Sequence, residues 1–158
     1  LLPFLFTLFL ATAFPSSDRV SWMRPESFHL TVGMQREAAL RVIHDGGWHT
    51  SKAKSADELI VDYADDKSLT LRFHKQRLIS VRFELFSILP QSAGAFRDEG
   101  AYLRTRHGPP RQRTRSLLVY DNALPNIMVV LNDDPKSQYG RTGLGLLVVR
   151  YFDPAPAK

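Results

Sequence analysis

Two hexapeptides constrain this chain more than any other feature. Leu-Ile-Ser-Val-Arg-Phe at 78–83 and Leu-Leu-Val-Val-Arg-Tyr at 146–151 share leucine, valine and arginine in register, and each ends on an aromatic ring. In both halves a glycine-closed helical run comes first and three strand-like segments follow. That pattern reads as a tandem repeat within one domain, over 30–88 and 91–153. Joining two short sheets edge to edge also hides two exposed strand edges, which gives the duplication a physical reason. The expected fold is therefore α+β: two tandem helix-plus-three-strand units in one antiparallel sheet, with helices packed on one face.

In the first unit Met34, Ala38 and Val42 recur at i, i+4 spacing with Ala39 and Ile43 alongside, which predicts a helix of about three turns. Gly46-Gly47 stops it, because glycine accepts the left-handed conformation found just past a helix. Trp48 begins the return and is expected to cover the end of the core. Leu59–Tyr63 is the first strand. Leu69, Leu71 and Phe73 alternate with Thr70 and Arg72, and Ile79, Val81, Phe83 and Leu85 alternate with Ser80, Arg82 and Glu84. Both alternations are those of half-buried strands. His74–Arg77 is short enough for a hairpin loop.

The second unit opens with Ser92 as the expected helix cap. Its stripe is Phe96, Gly100, Leu103 and His107, and Gly108-Pro109-Pro110 ends it. Gly94 and Gly100 weaken this helix by about 1 kcal/mol each relative to alanine. Strands are predicted at Ser116–Tyr120, Asn126–Leu131 and Leu144–Phe152.

The chain begins Leu-Leu-Pro-Phe-Leu-Phe-Thr-Leu-Phe-Leu, and Ala11-Thr12-Ala13 closes that apolar run with the small-x-small pattern of a secretory cleavage site. Residues 1–13 are read as a signal peptide lacking its own start. An uncleaved inner-membrane anchor is the alternative. Residues 14–29, polar and bounded by prolines, read as a linker, 30–153 as the domain and 154–158 as a tail. With no cysteine, disulfides, thiol chemistry and lipid attachment at a cysteine are excluded. The net charge of +5 favours anionic partners. In an exported protein these are lipid headgroups, cell-wall polymers or an acidic protein face rather than nucleic acid.

Val-Gly-Met-Gln-Arg-Glu-Ala-Ala-Leu-Arg-Val-Ile-His-Asp-Gly-Gly at 32–47, followed by the strands of 68–83, resembles the SmpA/OmlA (BamE) family. Its members are small lipoproteins of the outer-membrane assembly machinery. The resemblance covers Leu30 to Phe83 and rests on the Val-Gly-Met step, the glycine after the helix and the alternating strand. The tandem arrangement is similar to the β-lactamase-inhibitor protein superfamily. Three features depart from the family: the lipid-bearing cysteine is absent, Gln35 stands at the cap, and Gly46-Gly47-Trp48 replaces Gly-x-Pro. The resemblance implies an envelope or secreted interaction module.

Two stretches carry candidate chemistry. Arg104, Arg106, Arg111, Arg113 and Arg115 surround a turn with His107, and guanidinium forks of this kind bind phosphate or carboxylate. The ordinary reading of the same cluster is a solvated helix end whose cations complement the dipole. Asn132–Gly143 is a long polar loop in which Lys136, Gln138, Tyr139 and Arg141 have the residue types of a partner-binding tip. Arg72, Arg82, Glu84 and Arg150 fall on the side of the sheet away from the helices and could extend the basic turn into one surface.

Other clusters are weaker. His44 and His49 straddle a helix end and do not share a metal-binding face. Asp65-Asp66 and Asp133-Asp134 sit in turns, where aspartate caps backbone. Ser80 and His74 lack the glycine-flanked elbow of a nucleophile. No metal, cofactor or catalytic residue is assigned. The expected function is an exported, periplasmic or secreted, non-catalytic module that binds a protein partner or anionic envelope component. The alternative is a secreted inhibitor that inserts the 132–143 loop into an extracellular enzyme.

Overall fold

The computed structural model describes residues 20–51, 55–134, 136 and 142–154. Helix α1 (Arg36–Asp45) precedes β1 (His49–Ser51), β2 (Glu58–Ala64), β3 (Lys67–His74) and β4 (Arg77–Ile88). Helix α2 (Leu89–His107) precedes β5 (Gln112–Arg113), β6 (Leu117–Tyr120), β7 (Asn126–Asn132) and β8 (Leu144–Phe152). The strands form one antiparallel sheet in the order β1-β2-β3-β4-β8-β7-β6-β5. Each helix is thus followed by four strands rather than three, because short β1 and β5 form the two sheet edges. Neither has an alternating apolar pattern, so sequence periodicity passes over both.

The two hexapeptides lie side by side at the centre of the sheet. β4 pairs with β8, with Arg82 opposite Arg150, Val81 opposite Tyr151 and Phe83 opposite Val149. The arginines that align in sequence therefore face each other across the central ladder. Val81, Phe83, Val149 and Tyr151 point to the inner, helix-bearing face and are buried. Leu69 and Leu71 join them from β3, and Ile127 and Val129 from β7. Between β3 and β4, Lys75 and Gln76 both take left-handed conformations (φ 46° and 63°). That is the two-residue turn whose twist matches a hairpin.

α1 starts two residues later than the apolar spacing predicts. The Gly33 N–H donates to Leu78 O (2.7 Å) and the Leu78 N–H to Met34 O (2.9 Å). Those bonds tie 33–34 to β4, with Gly33 in a turn at positive φ (97°), so the helix begins only after them. At its other end Gly47 supplies the left-handed residue (φ 70°). Trp48 folds back so closely that a Cβ on Gly46 would fall 2.4 Å from its ring.

The structure corrects two further expectations. Ser92 does not cap α2, which begins at Leu89 with Pro90 in its first turn; proline's fixed φ suits that position. Ser92 instead lies buried inside the helix, its hydroxyl 2.6 Å from the Ser87 hydroxyl. The linker reading also fails from Val20 onward. Val20, Trp22, Met23, Phe28 and Leu30 are buried, and Pro25–Phe28 forms a single turn of 3-10 helix. This strap closes the inner face over β2–β4: Trp22 stacks on Tyr63 at 5.6 Å, and Phe28 meets Trp48 at 4.7 Å and Phe83 at 5.8 Å.

The outer face is divided. Over β2–β4 it is charged, with Arg72 paired to Glu58 (3.5 Å) and Arg82 to Glu84. Over β6–β8 it carries the partly exposed apolar residues Leu117, Val119, Met128, Val130, Val148 and Phe152. Among the described residues no helix is long and apolar enough to cross a membrane.

Candidate anion-binding site

A helix turns about 100° per residue, so α2 presents separate flanks. Phe96, Gly100 and Leu103 face the sheet, and Gly100 sits so near β6 that a Cβ would fall 2.9 Å from Leu118 Cδ1. The next flank carries Ala93, Arg97, Ala101 and Arg104, one side chain per turn. Between it and the β5–β7 edge opens a groove of about 970 Å³. Small residues on the helix leave this space unfilled. Phe96, Leu118 and Leu131 form an apolar floor, with Tyr120 at one end.

Four guanidinium groups line the groove: Arg97 and Arg104 from α2, Arg113 from β5 and Arg115 from the turn that follows. Arg115 is held by Asp133 at 2.9 Å. Among the described residues no carboxylate lies within ion-pair reach of Arg97, Arg104 or Arg113. Burial pushes the Tyr120 hydroxyl up and the Glu99 charge adds to this, while Arg104 and Arg113 pull it down. An anion about 4 Å from one guanidinium gains roughly 1–4 kcal/mol, depending on how far water is excluded.

The five arginines expected to act together are thus split. Arg104, Arg113 and Arg115 line the groove and Arg106 and Arg111 do not. Arg106 follows Arg104 by two residues, about 200° around the helix, and donates to the Tyr102 hydroxyl at 3.1 Å on the far flank. Arg111 is exposed and paired with Asp121, whose hydrogen bond holds its guanidinium above the usual value. Arg97 was not singled out by sequence, although it precedes Arg104 by two helical turns on the same flank. That spacing was the available signal.

The outer-face arginines do not continue this surface either. Arg72, Arg82 and Arg150 lie on the opposite side of the sheet from Arg113, since alternate residues point to opposite faces. Arg150 donates to the Ser80 hydroxyl at 2.9 Å. Burial lowers its pKa, and the neighbouring Arg72 and Arg82 lower it further. In the 132–143 loop, Lys136 donates its backbone N–H to Asp134 at 2.8 Å. Gln138, Tyr139 and Arg141 lie outside the described residues. The loop does leave from the groove's edge, because Asp133 is part of the lining.

The other flank of α2 holds a group that sequence reasoning missed altogether. Glu99 is 0% exposed, and neither carboxyl oxygen makes a hydrogen bond of full geometry. Its nearest cation is Arg24 of the strap, at 3.9 Å, whose guanidinium also lies 3.4 Å over the Tyr102 ring. Burial pushes the Glu99 carboxyl up to about 7; Arg24 lowers it and Glu26 raises it. A charged residue near the middle of an otherwise ordinary helix gives no sign in sequence of its burial. Beside it a cavity of about 300 Å³ lies between the strap and the end of α2, reached by Glu26, Arg106 and His107. Burial lowers the His107 pKa, and Arg106 lowers it further.

Compared with known proteins, the chain matches no family model, no curated protein and no solved structure.

Proposed function

We propose that this chain is an exported, non-catalytic binding module that takes an anionic component of the cell envelope in the groove between α2 and β5–β7. One observation carries the reading: Arg97, Arg104 and Arg113, three guanidinium-bearing side chains with no acidic partner among the described residues, line one groove with an apolar floor. Guanidinium holds its proton at any physiological pH, so it binds and orients anions but serves poorly as a base. Asp133, the one carboxylate in the lining among the described residues, is engaged by Arg115. The lining is therefore suited to holding a ligand rather than transforming it. The apolar leader and the resemblance to envelope lipoproteins favour export.

Fluorescent poly-glutamate, titrated at low and high salt, tests this. The intact chain is expected to bind at low salt and to weaken as salt rises. Arg104→Ala with Arg113→Ala should weaken binding at least tenfold. Arg41→Ala with Arg72→Ala, the same loss of charge elsewhere, should change it less than threefold. Equal losses in the two double variants would reduce the effect to net charge and remove the groove from the account.

A further inference from the structure

Resting on that reading, we infer that the ligand is an acidic segment of a partner protein, bound as an extended strand. It adds antiparallel to the outer edge of β5, with glutamate or aspartate at alternate positions facing Arg104, Arg113 and Arg97 in turn. The backbone of the edge is arranged for this. Among the described residues β5 ends the sheet and pairs only with β6, and Gln112 and Arg113 are exposed. The Thr114 N–H donates to Leu117 O at 2.8 Å, so Thr114 turns its backbone toward β6. The Leu131 N–H donates to Ser116 O at 2.9 Å, and the register of β6 with β7 then turns Leu118 toward β7, away from β5. Arg113 follows Gln112, precedes Thr114 and lies opposite Leu118. It therefore directs its N–H and C=O outward, because bonded and non-bonded pairs alternate along an antiparallel ladder. Among the described residues nothing pairs with them.

The cations beside that edge are spread at nearly a strand's repeat. Arg113 sits opposite Leu118, and Leu118 lies against Gly100, which falls between Arg97 and Arg104 on α2. The order along the groove is therefore Arg104, Arg113, Arg97, in steps of roughly 6 and 4.5 Å at 1.5 Å per helical residue. Same-face side chains of an extended chain recur at about 6.6 Å. A residue paired with Arg113 carries its side chain on the groove face, as Arg113 does. The residues two before and two after it then come level with Arg104 and Arg97. Among the described residues none of the three arginines has a carboxylate within ion-pair reach, so acids at alternate positions complement the row.

The same charge selects the occupant. An open edge is a template for any other strand, and charged side chains are a common guard against it. Two copies of β5 would set Arg113 against Arg113, whereas an acidic strand meets opposite charge. A helix laid in the groove would meet the arginines and leave the Arg113 backbone groups unused. A free anion would use neither the edge nor the length of the row.

Calorimetric titration of the whole chain with capped nonapeptides tests this. The parent probe alternates threonine and glutamate. Its controls are an isomer with the glutamates consecutive and an alanine-rich helical peptide with as many glutamates. The parent should bind at least tenfold more tightly than either, and Arg97→Ala should weaken it at least threefold. Two further probes separate edge pairing from charge. In the antiparallel pair the glutamates beside Arg113 direct their N–H groups at β5, and the threonines direct theirs away from it. Methylating the glutamate nitrogens should therefore weaken binding at least tenfold, and methylating the threonine nitrogens less than threefold. Equal effects of the two methylations, a larger effect at the threonines, or an isomer or helical peptide that binds as tightly as the parent overturns the proposal. Poly-glutamate binding retained in those cases leaves the anion-binding function standing. Binding of neither poly-glutamate nor any peptide removes both.

Discussion

The two halves of the sheet follow one plan and are filled differently. Beneath β1–β4, ten-residue α1 leaves much of the inner face uncovered, and the strap closes it with Trp22, Met23 and Phe28. Beneath β5–β8, nineteen-residue α2 spans the face, and among the described residues no strap lies beside its outer flank. There the lining is apolar at its floor and basic at its rim. A two-layer scaffold of this kind becomes a closed core where a further segment covers it and a groove where none does. The half to be probed for binding is the uncovered one.

The largest test of that contrast is Phe28→Ala. Phe28 is 1% exposed and meets Trp48, Tyr63 and Phe83. Its loss should lower stability by about 3–5 kcal/mol, the usual range for a buried aromatic, as read by urea unfolding. The folded fraction should bind poly-glutamate within twofold of the intact chain. Destabilisation below about 1 kcal/mol would mean that the strap does not seal the first half.

Glu99 lies at the seam, on α2 but facing Arg24 of the strap. Its carboxyl titrates at about 7 in the folded chain against 4.5 for an ordinary glutamate. The folded state therefore holds a proton that the unfolded state has released between those values. The stabilising contribution is full below about pH 4.5, falls as pH rises and levels off above about 7. At 1.36 kcal/mol per pH unit the fall is about 3 kcal/mol. Unfolding free energy measured from pH 4.5 to 8 in the intact chain and in Glu99→Gln should differ by this slope. Parallel curves would mean that the carboxyl is solvated.

Sequence and structure agree where periodicity acts alone. Leu69–Phe73 alternates cleanly and is a strand with the predicted face buried, and Leu144–Phe152 is the strand predicted there. The agreement weakens wherever a distant partner decides. Ser92 has the chemistry of a cap, but α2 follows β4 directly, with Pro90 in its first turn, so the helix starts ahead of it. The residues from Val20 to Leu30 look like a linker because their apolar members follow no period; they pack as a strap whose ring contacts lie far along the chain. At the candidate site, Arg104, Arg113 and Arg115 were readable as a cluster. Separating them from Arg106 required the helix phase, and separating them from Arg111 required seeing Asp121.

A smaller effect comes from the close approach of α2 to β8. A Cβ on Gly145 would lie 2.9 Å from Ser92 Cβ and Oγ and 3.1 Å from Leu89 Cδ2. Gly145→Ala forces the first turn of α2 off the sheet, and a strained small-to-large change of this kind costs about 1–3 kcal/mol. Thermal unfolding reads it. Because the contact lies one turn before Ala93, poly-glutamate affinity should fall by two- to fivefold as the helical wall shifts. An unchanged affinity would show that the groove is set by the C-terminal turns of α2 alone.

The smallest expected effect is the most specific to the groove. Among the described residues Asp133 is the only carboxylate in the lining, and it occupies Arg115 at 2.9 Å. Arg115 is 83% exposed at its side chain, so the pair is screened by water and worth at most about 1 kcal/mol. Asp133→Asn should leave stability within about 0.5 kcal/mol of the intact chain. It also frees a fourth guanidinium for an incoming anion and removes one repelling charge. Poly-glutamate should bind two- to fivefold more tightly, and the gain should disappear at high salt. If affinity instead falls, Asp133 positions Arg115 for the ligand rather than competing with it, and the basic rim is a built arrangement of four arginines, not three free ones and a spectator.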